Sequence, residues 1–381
     1  MTRTLYCYAF LDDFVLLYPV YALLFGDTGL SLGQISSLFA LWSVTGVLLE
    51  VPSGAWADAV SRRLLLRVGP VLTAVGFALW VLTPSYWAFA LGFVLWGAGG
   101  ALGSGALEAL VYEELDRLGA AAAYARVTGR ARAAGLVAVT AAMGLAGPVL
   151  AAGGYPLVGA ASVLTCLLTA AVAARFPEHR PAPEESESWF ATLRAAGRPG
   201  RQVTGALLLV AAVGSVWGAL DEYTPLLVRD TGVPDWAGPY LLLMIWAGAT
   251  GGSLLAGPAE RLRTAGFAGL LAGSALALAV GATARSPAGL VLVAVAFGGF
   301  QLANVLADAR LQRRIDDGTR ATVTSLGGLG TELATVAVFG AYAVIGSATG
   351  HGTAFAVFAV PYLVTAALVA LGRGRRRTPR N

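Results

Sequence analysis

Residues 50–66 read EVPSGAWADAVSRRLLL, a short charged turn between two apolar runs. We assign the run before it to residues 33–53 and the run after it to residues 65–83. A helix of roughly 20 apolar residues crosses a hydrocarbon layer of about 30 Å. Paired arginines between two such helices are retained at the membrane surface. The stretch therefore predicts two membrane-spanning helices joined on one side of a bilayer.

The same alternation of apolar runs and short polar turns continues along the whole chain. Of its 381 residues 57% are hydrophobic and 13% charged, and the mean hydropathy is +0.70, a balance that excludes a soluble domain. We predict an all-α membrane protein with helices at residues 5–25, 33–53, 65–83, 87–111, 131–152, 156–174, 203–227, 236–256, 264–284, 288–311, 321–346 and 353–371.

One long polar stretch, residues 176–202, divides the chain. It is rich in proline and charge, so we interpret it as a linker between six-helix halves at residues 1–175 and 203–381. The halves share a faint repeat, because LDDF at 11–14 and DTG at 27–29 are matched by LDEY and DTG. These second copies, at 220–223 and 230–232, predict a duplicated unit.

Arginine distribution predicts the orientation. All 26 basic residues are Arg, and on the predicted topology only Arg229 and Arg285 fall on the side opposite the termini. Positively charged loops resist translocation, so we expect both termini in the cytoplasm, with the basic tail, and the protein in the plasma membrane. The arginines are scattered over many loops, which excludes a nucleic-acid-binding patch.

The loop quoted first carries a family resemblance. Gly54, Asp58 and the pair Arg62 and Arg63 resemble the signature between helices two and three of the major facilitator superfamily. The resemblance implies a bundle of twelve transmembrane helices in two pseudo-symmetric halves. It also implies a secondary transporter that works by alternating access, with this loop as a cytoplasmic gate. Its partners would be a small-molecule substrate, protons and lipid, and we expect a monomer.

The fifth predicted helix resembles the Gly-Pro signature of antiporters in that superfamily. Residues 135–154 read GLVAVTAAMGLAGPVLAAGG, with Gly144, Gly147 and Pro148 near the family spacing. Small residues allow helices to pack closely, and proline bends a span. Generic helix packing explains the same residues. The resemblance favours efflux of small organic compounds or drugs, as in multidrug resistance.

Acidic side chains inside the predicted helices are candidates for proton coupling. They are Asp12 and Asp13 in the first helix, Asp221 and Glu222 in the seventh, and Glu332 in the eleventh. Acids within the bilayer are costly and usually face an internal pathway. Burial without a basic partner favours the neutral carboxyl, which can bind and release protons. Asp13 and Glu332 are the deepest, with Asp12 as the alternate.

Aromatic and amide side chains on helices one, seven and ten are candidates for the substrate cavity, although aromatic residues also collect at membrane interfaces. They are Tyr18, Trp217, Tyr223, Gln301 and Asn304.

Two other functions compete with export. The first is import or facilitated passage of a polar metabolite; no predicted helix holds a deep arginine, which favours neutral or cationic cargo over organic anions. The second is a membrane-embedded enzyme, for which the chain offers only His179 and His351 and two isolated cysteines. These make no catalytic site, metal site or cofactor motif. We therefore expect no cofactor.

Overall fold

The computed structural model describes residues 1–177, 201–315 and 320–374, and within these the side chains of all but 50–59, 104–105, 201–202, 320–322 and 372–374. The described part of the chain is built of helices and turns and contains no strand. It divides into two compact units, Met1–Ser186 and Glu187–Asn381.

The described residues of the N-terminal unit, 1–177, form six α-helices. Large aliphatic side chains such as Leu136 and Val137 are exposed on its outside, whereas small residues such as Ala138 and Ala142 are buried. Small residues at helix contacts and large ones facing outward are typical of membrane bundles. The helices are α1 (Thr2–Asp13), α2 (Tyr21–Asp27), α3 (Leu32–Ala59), α4 (Arg62–Leu82), α5 (Tyr86–Arg117) and α6 (Tyr124–Ala173).

The C-terminal unit repeats the pattern, with several of its spans divided into shorter helices. The helices are α7 (Arg201–Asp221), α8 (Thr224–Arg229), α9 (Gly238–Leu254), α10 (Ala256–Ala259), α11 (Thr264–Thr283), α12 (Gly289–Gln312), α13 (Arg320–Thr349), α14 (His351–Phe358) and α15 (Val360–Gly374).

Nine helices in the described residues are long and apolar enough to cross a membrane. One of them, residues 121–173, contains two predicted helices, because its backbone leaves helical angles at Gly153 and Gly154. The two remaining predicted segments are the first, which is interrupted, and the eighth, whose helix α9 has 17 residues. All twelve predicted segments are thus helical.

The first and seventh predicted helices are each broken, where we expected them to be continuous. The first stops at Asp13 and resumes at Tyr21, with Pro19 in the gap. The seventh stops at Asp221 and resumes at Thr224, with a proline in the first turn of α8. Proline lacks an amide hydrogen and disfavours helix in the residue before it, which explains the position of each break.

The DTG turns that follow these broken helices have matching geometry. Gly29 has φ of 85° and Gly232 has φ of 80°, both in the left-handed region that favours glycine. Thr28 and Thr231 each donate a hydroxyl hydrogen bond to a backbone carbonyl of the preceding helical turn, at 2.7 Å. The faint sequence repeat therefore corresponds to a repeated structural element.

Candidate functional site

The first acidic pair lies where α1 ends. Asp12 and Asp13 are its last two residues, and the backbone beyond them is irregular as far as Val20. The Leu17 amide in this segment donates a hydrogen bond to the Ser162 hydroxyl at 3.1 Å, and both groups are buried. Irregular backbone at membrane depth needs such partners, since lipid offers none.

The two carboxylates line a cavity that lies wholly within the N-terminal unit. Its volume is about 280 Å³, near the lower end of typical small-ligand sites. Asp12 is the more exposed of the two carboxylates. The other lining residues come from α1, the break, α4, α5 and α6: Tyr8, Val15, Tyr18, Gly69, Pro70, Thr73, Trp96, Gly99, Gly100, Gly103, Leu107 and Cys166.

Among the residues that the structure describes, no basic side chain forms an ion pair with Asp12 or Asp13. Both therefore differ from Glu108, an exposed residue whose Oε1 lies 3.8 Å from Nη2 of the exposed Arg132. A carboxylate with no positive partner at its depth is free to change its protonation state without breaking an ion pair. This is the property that we predicted for the pair.

An aromatic stack forms one wall of this cavity. The Tyr18 ring stacks on Trp96 at a centroid distance of 5.3 Å, and Trp96 stacks on Trp42 at 4.9 Å. Tyr18, which we predicted as a substrate-cavity residue, lines the same cavity as the two acids.

The second acidic pair lies at the equivalent break in the C-terminal unit. Asp221 is the last residue of α7, and Glu222 follows it. The Trp246 side chain lies beside the Asp221 carboxylate. This acid therefore has a neutral donor group nearby, unlike the first pair.

Two buried polar atoms of the C-terminal unit have no hydrogen-bond partner within the described chain. They are the Trp217 Nε1 and the Gln301 Oε1. The Gln301 amide nitrogen donates to the Ser253 hydroxyl at 3.0 Å. Asn304, one turn further along α12, lies beside Gly214, where an added Cβ would be 3.1 Å from its Oδ1. Most buried polar atoms in proteins are paired, so these two exceptions require an explanation.

Tyr223 and Glu332 differ from the other candidates in this unit. Tyr223 is completely buried and stacks on Tyr342 at a centroid distance of 3.7 Å, which favours a packing role over substrate contact. Glu332 lies partly buried on α13 and interacts with a neighbouring group. It follows Thr331, whose methyl group faces Gly214.

The predicted gating loop is described at its two arginines. Arg62 forms an ion pair with Glu113 near the end of α5, and the Arg63 guanidinium donates to the Phe176 carbonyl at 3.4 Å. Gly54 and Asp58 lie outside the residues whose side chains the structure describes. Sequence analysis did not identify Glu113 as a partner, although its acidic run, VYEEL, lies near the end of α5.

The residues of the antiporter-like signature lie on α6. Gly147 is buried and Pro148 is exposed, and helical angles continue through the proline. Gly144 has open space around it. Gly135, the first residue of the quoted stretch, lies against Asp13.

A sequence model described as Major Facilitator Superfamily matches residues 4–338, most of the chain. The chain belongs to the major facilitator superfamily. This superfamily protein is a multi-pass membrane transporter of small molecules and not an enzyme. No curated protein sequence matches it.

Solved structures of three transporters share the fold. The nucleoside transporter NupG superposes with a TM-score of 0.79 at 12% identity, over 97% of this chain and 98% of that one. A bacterial homologue of the human lysosomal transporter Spinster gives 0.72 at 17% identity, over 98% and 96% of the two chains. The POT family transporter PepTSo gives 0.72 at 12% identity, over 99% and 98% of the two chains. At such identities the similarity concerns the fold alone.

Proposed function

We propose that this transporter exports small organic compounds, neutral or cationic, in exchange for protons. The observation that carries the proposal is the pair Asp12 and Asp13, which lines a cavity of about 280 Å³ at a helix break without a basic partner in the described chain. Carboxyl groups in such a place can bind a proton on one side of the membrane and release it on the other.

The helix break has an electrostatic consequence for the transport cycle. An interrupted helix presents its last carbonyl groups at the break, which is the negative end of the helix dipole. Both the dipole and the two carboxylates attract a proton or another positive charge to this point. When a proton binds, this negative charge is reduced, and the relative stability of the two transport conformations changes. Rocking of two bundles about a central site would then move the cargo.

Our proposal for the direction of transport depends on the sequence of α6. Its resemblance to the antiporter signature favours exchange of cargo against protons. Inward-directed proton gradients would then drive cargo out of the cell. We place both termini and residues 176–202 in the cytoplasm of a plasma-membrane protein, as the arginine distribution predicts. A reporter that is active only outside the cytoplasm, fused after Asn381, should be silent; strong activity would reverse the topology.

The coupling mechanism can be tested with purified protein in liposomes, using ethidium as the probe because its charge does not depend on pH. With the membrane potential clamped, an antiporter accumulates ethidium when the vesicle interior is acidic. A symporter accumulates its cargo when the interior is alkaline. Accumulation only in alkaline vesicles would contradict proton exchange.

Variants of the acidic residues can identify which of them carries the proton. Asp13→Asn and Glu332→Gln, alone and together, should abolish gradient-driven accumulation but preserve exchange of labelled for unlabelled ethidium. An amide cannot carry the proton, yet it is the same size as the carboxyl group. Glu108→Gln is the matched control, because Glu108 is an exposed acid with an arginine neighbour. Continued accumulation by the double variant would place coupling elsewhere.

Uptake of a polar metabolite is the second candidate, and one observation favours it. The unpaired Trp217 Nε1 and Gln301 Oε1 offer a donor and an acceptor to a polar cargo. A neighbour in fold, NupG, is described as a nucleoside transporter. Uridine accumulation in alkaline-interior vesicles, lost in Trp217→Phe and Gln301→Leu, would support this candidate over export.

A further inference from the structure

The Asp13 carboxylate occupies the space that a side chain at position 135 would take. Gly135 lies on α6, on a buried face that also contains Ala131, Ala138 and Ala142. A Cβ added to Gly135 would overlap the Asp13 Oδ2 and lie 3.2 Å from its Cγ. Only a glycine at this position leaves the carboxylate where it is.

The obstacle at Gly135 is the carboxylate and not the helix backbone. The nearest backbone atom to an added Cβ is the Ala9 carbonyl oxygen, at 3.7 Å, which is an ordinary van der Waals contact. By contrast, a Cβ on Gly69 would lie 2.7 Å from the Gly99 carbonyl oxygen. Alanine at Gly69 would have to push two helices apart. Alanine at Gly135 only has to move the end of one side chain.

We propose that Gly135 is a positioning residue, which holds the Asp13 carboxylate at the edge of the cavity by leaving room for it between α1 and α6. The proposal rests on the proposed function, in which Asp13 carries the proton. Because Asp13 is the final residue of α1, its backbone is followed by an irregular segment and does not by itself fix the side chain. The surface of α6 at Gly135, against which the carboxylate lies, supplies that constraint. It also gives the glycine a role distinct from close packing of helices.

The first test compares two glycine variants on the same helix. Gly135→Ala should reduce gradient-driven ethidium accumulation by about tenfold to a hundredfold, the loss typical of a reacting group displaced by about 1 Å. It should also move the pH midpoint of ethidium exchange, with a normal yield of folded protein. Gly129→Ala is the control, because Gly129 lies outside the antiporter-like signature and nothing lies within 4 Å of a Cβ added there. It should transport as the unmodified protein does. Equal coupling and equal pH midpoints in both variants would overturn the proposal.

A second measurement does not depend on transport. Melting temperatures are compared for Gly135→Ala, Asp13→Ala and the double variant. Shortening Asp13 removes the atoms that a methyl group at position 135 would overlap. The alanine at 135 should therefore cost less stability in the Asp13→Ala background than in the unmodified protein. An equal fall in melting temperature in both backgrounds would show that Gly135 serves helix packing, and would overturn the proposal.

Failure of the proposed function has a different signature. If Asp13→Asn still concentrates ethidium, Asp13 is not the proton carrier, whatever the melting temperatures show. If Asp13→Asn loses coupling while Gly135→Ala keeps it, the carrier assignment stands and the positioning role is wrong.

Discussion

The two units of the protein share a broken helix but differ in the chemistry at the break. In the N-terminal unit, α1 ends at Asp12 and Asp13, which face a cavity. In the C-terminal unit, α7 ends at Asp221, which has the Trp246 side chain beside it. Both units thus keep a helix break at an acidic pair, while the side chains around the break differ. We infer that ion handling belongs to the first break and that the second serves structure or cargo recognition.

Neutralising the two acidic pairs gives the largest expected difference between the units. Asp12→Asn with Asp13→Asn should reduce gradient-driven ethidium accumulation to the level of protein-free liposomes, because the cavity at the first break then holds no carboxyl group that can bind a proton. Asp221→Asn with Glu222→Gln should keep accumulation within about tenfold of normal, since each amide has the size of the carboxyl group it replaces and still offers an acceptor oxygen, as at Asp221 beside Trp246.

The measurement is initial uptake into acid-interior vesicles, normalised to the amount of folded protein. Trp246→Phe serves as a control for the second pair, because it removes the donor and leaves both acids. Complete loss of coupling in both pairs would show that the two breaks share one function, and the comparison would fail.

Sequence reasoning found the spans and the acids because both have strong physical signals. A run of roughly 20 apolar residues has few alternatives to a membrane helix, and a charge within it is conspicuous. Pro19 and Pro225 were a usable signal for the breaks beside those acids, because a proline removes a helix hydrogen bond and bends or interrupts a helix. We overlooked them because hydropathy alone averages over a short interruption.

Contacts between helices could not be predicted in the same way. Gly135 is one of many glycines, and nothing in its local sequence shows that Asp13 lies against it. Tyr8 was also missed, although it lies one helical turn before Asp12 and lines the same cavity. Its spacing of four residues was a usable signal. Tyr223, in contrast, was selected for its aromatic ring, but its exposed fraction is 0%.

The ends of the two units that we predict to be cytoplasmic offer a smaller expected difference. Arg62 pairs with Glu113 in the first unit, and Glu260 faces Arg313 at 3.8 Å in the second. The side chains of the second pair are more than half exposed, and exposed ion pairs contribute little to stability. Glu113→Gln should therefore slow ethidium exchange severalfold, about 1 kcal/mol, whereas Glu260→Gln should change it less than twofold, about 0.4 kcal/mol.

We expect Asp58→Asn, in the same predicted gate, to behave like Glu113→Gln and to leave protein abundance unchanged. Equal effects of Glu113→Gln and Glu260→Gln would mean that the two inner loops are equivalent. Loss of folded protein in Asp58→Asn would indicate a structural role for that residue.

The same substitution in either DTG turn should change the stability of the protein equally. The two turns therefore give the most stringent test of the duplication. Alanine at Gly29 or at Gly232 meets no atom within 4 Å, so its only cost is the left-handed backbone. That cost is about 1–2 kcal/mol for a residue with a Cβ. We therefore expect Gly29→Ala and Gly232→Ala to lower the melting temperature of the purified protein by similar amounts.

Two helical glycines supply controls for these turns. Gly46 and Gly269 also have no atom within 4 Å of an added Cβ, and in a helix alanine is favoured over glycine by up to about 1 kcal/mol. Their alanine variants should be as stable as the unmodified protein or more so. Asparagine at Gly29 or Gly232 should restore part of the loss, because it tolerates the left-handed region better than alanine does. A turn that accepts alanine without cost in one unit alone would show that its positive φ is not required there, and that the structural repeat ends before the turn.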